Sequence, residues 1–167
     1  AVKGEELRFS EKDLAQISSR VVGRLLNVFS FYELYKKENI NLEIESTNVL
    51  DQWILARLYQ LLSEIENGME VYELDKAVRP IDLFVDDLST WYLRRSRDRL
   101  KDGDDEAVVT LYTVLQTLSQ MIAPFMPFVS EYIWLGLKSE NSTESVHLSA
   151  WPVKGSIDEK LIEEMVS

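Results

Sequence analysis

Apolar residues return every three or four positions through most of this chain, a spacing that fits helices with one buried face and little else. Leu14, Ile17, Val21, Leu25, Val28, Tyr32 and Tyr35 trace a first stripe, and Leu50, Trp53, Ile54, Leu58, Leu61, Ile65 and Met69 a second. Ala77, Ile81, Phe84, Leu88 and Trp91 form a third, and Val108, Leu111, Tyr112, Leu115, Leu118, Met121 and Ile122 a fourth. The segments between them are short and rich in turn and cap residues. Residues 39–48 (NINLEIESTN) break the first period, and 101–106 (KDGDDE) supply a capping aspartate and an acidic first turn for the next helix. Ser10 with Asp13 reads as a weak capping box for the first helix. Pro80 inside the third stripe predicts a kink or a late start. Pro127 suits the first position of a fifth helix reaching Leu137. Residues 145–152 (SVHLSAWP) read as an extended stretch laid over the helices, followed by a short helix at about 158–166. The predicted fold is all-α, an antiparallel helical bundle of four to five long helices with a short C-terminal extension.

The charge balance narrows what such a bundle can do. Eighteen Lys and Arg against 29 Asp and Glu give a net charge of −11, which excludes a grip on nucleic acid through an overall positive field. With no cysteine there are no disulfides or thiolate metal sites, and the single histidine, His147, excludes a zinc site of His and Cys ligands. No signal-peptide pattern and no apolar run of bilayer length is visible, so a soluble, intracellular domain is expected. Nothing points to catalysis. Asp86 and Asp87 are adjacent and so point apart on a helix, and no Glu-x-x-His pair is present for a helical di-metal site.

One stretch runs against the acidic background. Residues 86–99 (DDLSTWYLRRSRDR) carry Arg94, Arg95, Arg97 and Arg99 directly after Trp91 and Tyr92. Trp91, Arg95 and Arg99 are successive helical turns, so ring and cations share a face. Guanidinium groups fork onto phosphate oxygens and an aromatic ring can stack a base, which makes this a candidate RNA contact. The alternative is that Trp91 is core and the arginines pair with Asp86, Asp87 and Asp98. Arg57, Lys76 and Arg79 are candidate additions to the same patch if helix ends converge. The apolar corner at Phe125, Met126, Phe128, Tyr132, Ile133 and Trp134 is expected as core, or as the surface of a protein–protein interaction module.

Five runs occur in succession: VKGEELRFSEK (2–12), LDQWILARL (50–58), YELDKAVRPIDLFVDDLSTWYLRRSRDR (72–99), IAPFMPFVSEYIW (122–134) and SVHLSAWP (145–152). In order and spacing they resemble the anticodon-binding domain of isoleucyl-tRNA synthetase, a class I aminoacyl-tRNA synthetase, over nearly the whole chain. The resemblance implies a parent enzyme that joins isoleucine to tRNA(Ile) with ATP and Mg²⁺ on a separate Rossmann-type catalytic domain. The HIGH and KMSKS motifs of that domain do not occur in this sequence. The fragment is therefore expected to carry no active site, cofactor or metal, and to act in the cytoplasm without membrane or DNA. Its implied partners are the anticodon stem-loop of tRNA(Ile) and the catalytic domain of the same parent chain. Residues 1–9 would then connect to that domain, 10–152 form the bundle, and 153–167 extend it. Arg94, Arg95, Arg97 and Arg99 match the family's arginine-rich run. The expectation is that some of them grip anticodon-stem phosphates while Trp91, as core, braces the helix beneath.

Overall fold

A computed structural model describes residues 11–166, and the side chains of all of these except 11–14 and 74–77. The expected connector at 1–9 and the Ser10–Asp13 cap lie outside the described residues. Helix α1 spans Glu11–Tyr35, α2 Val49–Glu70 and α3 Leu74–Asp86. A π-helical turn, Asp87–Tyr92, joins α3 without interruption to α4, Leu93–Lys101. Then come α5 (Asp105–Ile122), α6 (Pro127–Leu137), a 3₁₀ turn (Val146–Leu148) and α7 (Glu159–Val166). Counting the α3–α4 rod as one, five long helices and a short one make the all-α bundle, with no strand among the described residues.

Cross-links give the directions. Arg20 pairs with Asp82 and Arg24 with Asp86, while Arg97 lies over Phe31, so α1 and the rod run parallel. Along α2 the order reverses: Asp51 meets Arg99 and Arg57 meets Asp87. The N-termini of α2 and α5 share one end of the bundle, where Thr47 and Ser46 hydrogen-bond to Glu106. Helix α5 is buried on nearly every side, from Ala107 and Val108 to Met121 and Ile122, and it forms the bundle's centre. Its neighbours supply the other fully buried side chains, among them Leu25, Ile54, Leu58, Leu61, Phe84, Leu88 and Tyr92.

The ends follow local chemistry. Asn48 caps α2 by accepting from the Leu50 amide at 2.9 Å, and Asp104 caps α5 by accepting from the Ala107 amide at 3.3 Å. Between α4 and α5, Gly103 takes a left-handed φ of 77°, letting the Gly103 and Asp104 amides turn back onto Leu100 and Arg99 carbonyls. Pro127 occupies the start of α6 as expected. Pro80, by contrast, sits inside α3, which is helical from Leu74, so the late start does not occur. The stretch at 145–152 is not uniformly extended either. Glu131 accepts from the Val146 amide and the Ser145 hydroxyl, and so holds the 3₁₀ turn that buries Val146 beside Trp134 and Ala123. Beyond it, Glu66 accepts from the Trp151 indole and pairs with Lys154. The Lys154 hydrogen bond holds the Glu66 carboxyl below its ordinary range.

Two glycines separate packing from propensity. A methyl group on Gly136 would collide with the ring of Phe29, itself locked edge-on against Tyr132, whereas one on Gly23 would meet nothing. Gly136→Ala is expected to lower stability by about 1–3 kcal/mol. Gly23→Ala, within α1, should raise it by about 0.5–1 kcal/mol. Urea unfolding of the two variants, which should move in opposite directions, is the check.

Candidate nucleic-acid interface

The π-helical turn decides which aromatic is core. The Leu93 amide donates to the Leu88 carbonyl, five residues back rather than four. Such a turn holds more residues per revolution. The buried stripe therefore steps from Leu88 to Tyr92, and Trp91 is rotated out. Tyr92 is fully buried and Trp91 is 36% exposed, which corrects the expectation of Trp91 as core. From there the buried positions are Leu93, Ser96 and Leu100, so α4 does not outrun the core.

Beneath that turn lies a closed polar cluster. Asp51, in the first turn of α2 and with no exposed surface, accepts four hydrogen bonds. The Tyr92 hydroxyl reaches it at 2.7 Å and the Ser46 hydroxyl at 2.6 Å. Arg99 forks onto both of its oxygens at 2.9 and 2.8 Å. The same guanidinium donates through Nε to Asp104, the cap of α5, at 2.9 Å. One cation thus neutralises carboxylates at two helix N-termini, where negative charge is already favoured. Burial, then the Asp51 carboxylate, push the Tyr92 phenol well above its ordinary value, so it remains a donor. The Arg99 guanidinium is raised further, chiefly by its hydrogen bond to Asp51. Burial would raise the Asp104 carboxyl, but its bonds to Arg99 and to the Ala107 amide outweigh that and leave it lowered.

Arg99 is therefore held in the framework by two carboxylates, Asp51 and Asp104. Arg57 is likewise engaged: its side chain is 15% exposed, pairs with Asp87 at 3.0 Å and donates to Gln60. Arg79 is exposed and makes no ion pair among the described residues, but 15 residues of helix separate it from Arg94, roughly 22 Å. The Lys76 side chain lies outside the described residues. What the rod does gather on its outer face is Arg94, Arg95 and Arg97, all exposed and none paired with a carboxylate among the described residues. The Arg95 guanidinium stacks on Trp91, 3.8 Å from the ring centroid, and that of Arg97 sits 5.4 Å from the centroid of Phe31. Arg94 and Arg97 line a shallow groove of about 500 Å³ with Ser89, Thr90 and Asp98. Asp86 and Asp87 do not neutralise these arginines, because Arg24 and Arg57 from α1 and α2 take them.

Residues 51–167 match the family model described as the anticodon-binding domain of tRNA ligase. This chain belongs to that family. The domain is 41% identical to the isoleucine–tRNA ligase of Chlamydia abortus over 162 residues, covering 90% of this chain and 16% of that relative. It is 42% identical to the isoleucine–tRNA ligase of Clostridium acetobutylicum over 173 aligned residues, 95% of this chain and 17% of the relative. It thus spans about one-sixth of the length of the curated relatives it matches.

In this anticodon-binding domain, sequence reasoning missed two contributors to the exposed face. Lys101, one turn past Arg97, is exposed and continues the line of Arg94 and Arg97; its i+4 spacing was the available signal. Phe31 of α1 holds Arg97 from a stretch 66 positions away, and no local pattern announces it. Among the described residues no cluster of three or more His, Cys, Asp or Glu could hold a metal, and the carboxylates nearest each other around Arg99 are already neutralised by it. Among the described residues no helix is long and apolar enough to cross a membrane.

Proposed function

We propose that this chain is the part of an isoleucine–tRNA ligase that docks the anticodon stem-loop of tRNA(Ile) through Arg94, Arg95 and Arg97. One observation carries the reading: on a chain of net charge −11, three arginines within four positions face solvent with no carboxylate partner among the described residues. Guanidinium groups in that state are fit for phosphate oxygens, which they bind by charge-assisted forks. The acidic remainder repels RNA elsewhere, so the contact is confined to the outer face of α4 and thereby oriented. ATP, Mg²⁺ and the joining of isoleucine to tRNA belong, on this reading, to the catalytic domain of the same parent polypeptide, working in the cytoplasm. On this reading no chemical step belongs to the residues of this domain.

A second reading rests on α6, where Phe128, Tyr132 and Leu135 expose an apolar stripe at helical spacing. That stripe favours a protein contact, and it suits packing within the parent enzyme alongside RNA docking. Titrating the chain with an isoleucine tRNA across a salt series separates the two. RNA docking predicts affinity that falls steeply and linearly in log–log form, and tighter binding of the matching anticodon than of an altered one. Salt-insensitive association, or equal affinity for both anticodons, would overturn the docking reading.

A further inference from the structure

We infer that Trp91 and Arg95 form a preassembled platform on which one unpaired base of the RNA loop stacks. The inference rests on the docking reading and gives this pair a role distinct from that of Arg94 and Arg97. Three features of the structure support it. The Arg95 guanidinium carbon lies over the indole, 3.8 Å from its centroid, while the nearest comparable pair, Arg97 and Phe31, is far looser at 5.4 Å. Arg95 is exposed and makes no hydrogen bond or ion pair among the described residues, which leaves its donors available to a ligand. Finally, Trp91 is outside only because the π-helical turn gives the core position to Tyr92. Interruptions of this kind collect at functional sites.

A planar cation backed by an aromatic ring differs from a plain phosphate contact. Single-stranded bases stack on arginine planes and aromatic rings, and such stacking tolerates any base. The rigid backing also holds the guanidinium in place before RNA arrives, which removes part of the ordering cost of binding. Phosphate contacts at Arg94 and Arg97 would position the loop, and the platform would take a base out of it.

The test uses this chain and an isoleucine-type anticodon stem-loop, together with a set of the same hairpin in which each loop base in turn is replaced by an abasic site. Arg95→Lys keeps the charge and loses the plane. Trp91→Leu keeps apolar bulk and loses the ring, and unchanged helical circular dichroism checks that it folds. Each variant should bind the intact hairpin about 5- to 100-fold more weakly, the loss expected for one stack. The salt slope should be unchanged. On a single abasic hairpin, wild type and variants should bind alike, which identifies the stacked base. If the variants are weaker than wild type by the same factor on every abasic hairpin, or are not weaker at all, the platform is overturned while docking stands. Failure of the wild-type chain to bind any hairpin would overturn docking and platform together.

Discussion

Replacing Asp51 with alanine is expected to destabilise the domain by about 3–5 kcal/mol, the cost of breaking a buried charge pair by removing one partner. Against a total of about 5–15 kcal/mol for a domain of this kind, that is a large share. The loss has three parts. The Arg99 guanidinium keeps Asp104 but loses the fork that neutralises it in the interior, the buried Tyr92 hydroxyl loses its acceptor, and Ser46 loses the bond that ties the preceding loop to α2. Asp51→Asn preserves shape but presents an amide N–H₂ to donors, so it should recover little. Asp51→Leu combined with Arg99→Met, which removes both charges, should lose less than the sum of the single changes. Urea unfolding of the single and double variants gives the coupling. A cost for Asp51→Ala below about 1 kcal/mol would place the cluster with exposed ion pairs and remove its role as the clamp of this end of the bundle.

That cluster also marks where sequence reading stopped. The stripes of α1 from Ile17, of α2 as far as Ile65 (Met69 is exposed) and of α5, the Asp104 cap and the proline start of α6 were legible because each is a local consequence of helical period or of an orphan amide. The step after Leu88 was not, since Trp91 lies three positions on and Tyr92 four, and both are aromatic and both compatible with an α-helical face. What selects Tyr92 is a hydroxyl that finds Asp51, 41 positions earlier, and periodicity carries no information about that pairing. A local hint existed in Leu88, Tyr92, Ser96 and Leu100, an unbroken run of four-residue steps that are all buried. The arginines teach the same lesson. Arg94, Arg95, Arg97 and Arg99 are equivalent as residue types, and only the three-dimensional partners assign Arg99 to the framework and leave the other three to solvent. The expectation of ion pairing holds for one arginine of the run, but its partners are Asp51 and Asp104 rather than Asp86, Asp87 and Asp98.

The largest effect on RNA is expected from the double change Arg94→Ala, Arg97→Ala. Each guanidinium is open to solvent, and each charge-assisted bond to phosphate contributes about 1.5–3 kcal/mol, roughly ten-fold or more in affinity. Losing both should weaken binding of the isoleucine-type stem-loop by about 100-fold at low salt and reduce the log–log salt slope by about two, one for each phosphate contact. The loss should be the same for matching and altered anticodons, because phosphates carry no sequence. Arg79→Ala is the internal comparison. It removes the same charge from the same rod, roughly 22 Å from Arg94, and beyond a Debye length of about 8 Å its effect should be small. If Arg79→Ala matches the double change, RNA responds to total charge rather than to the outer face of α4. If the double change alters discrimination between anticodons instead of the salt slope, Arg94 and Arg97 touch bases, and the division of labour between them and the Trp91–Arg95 platform is reversed.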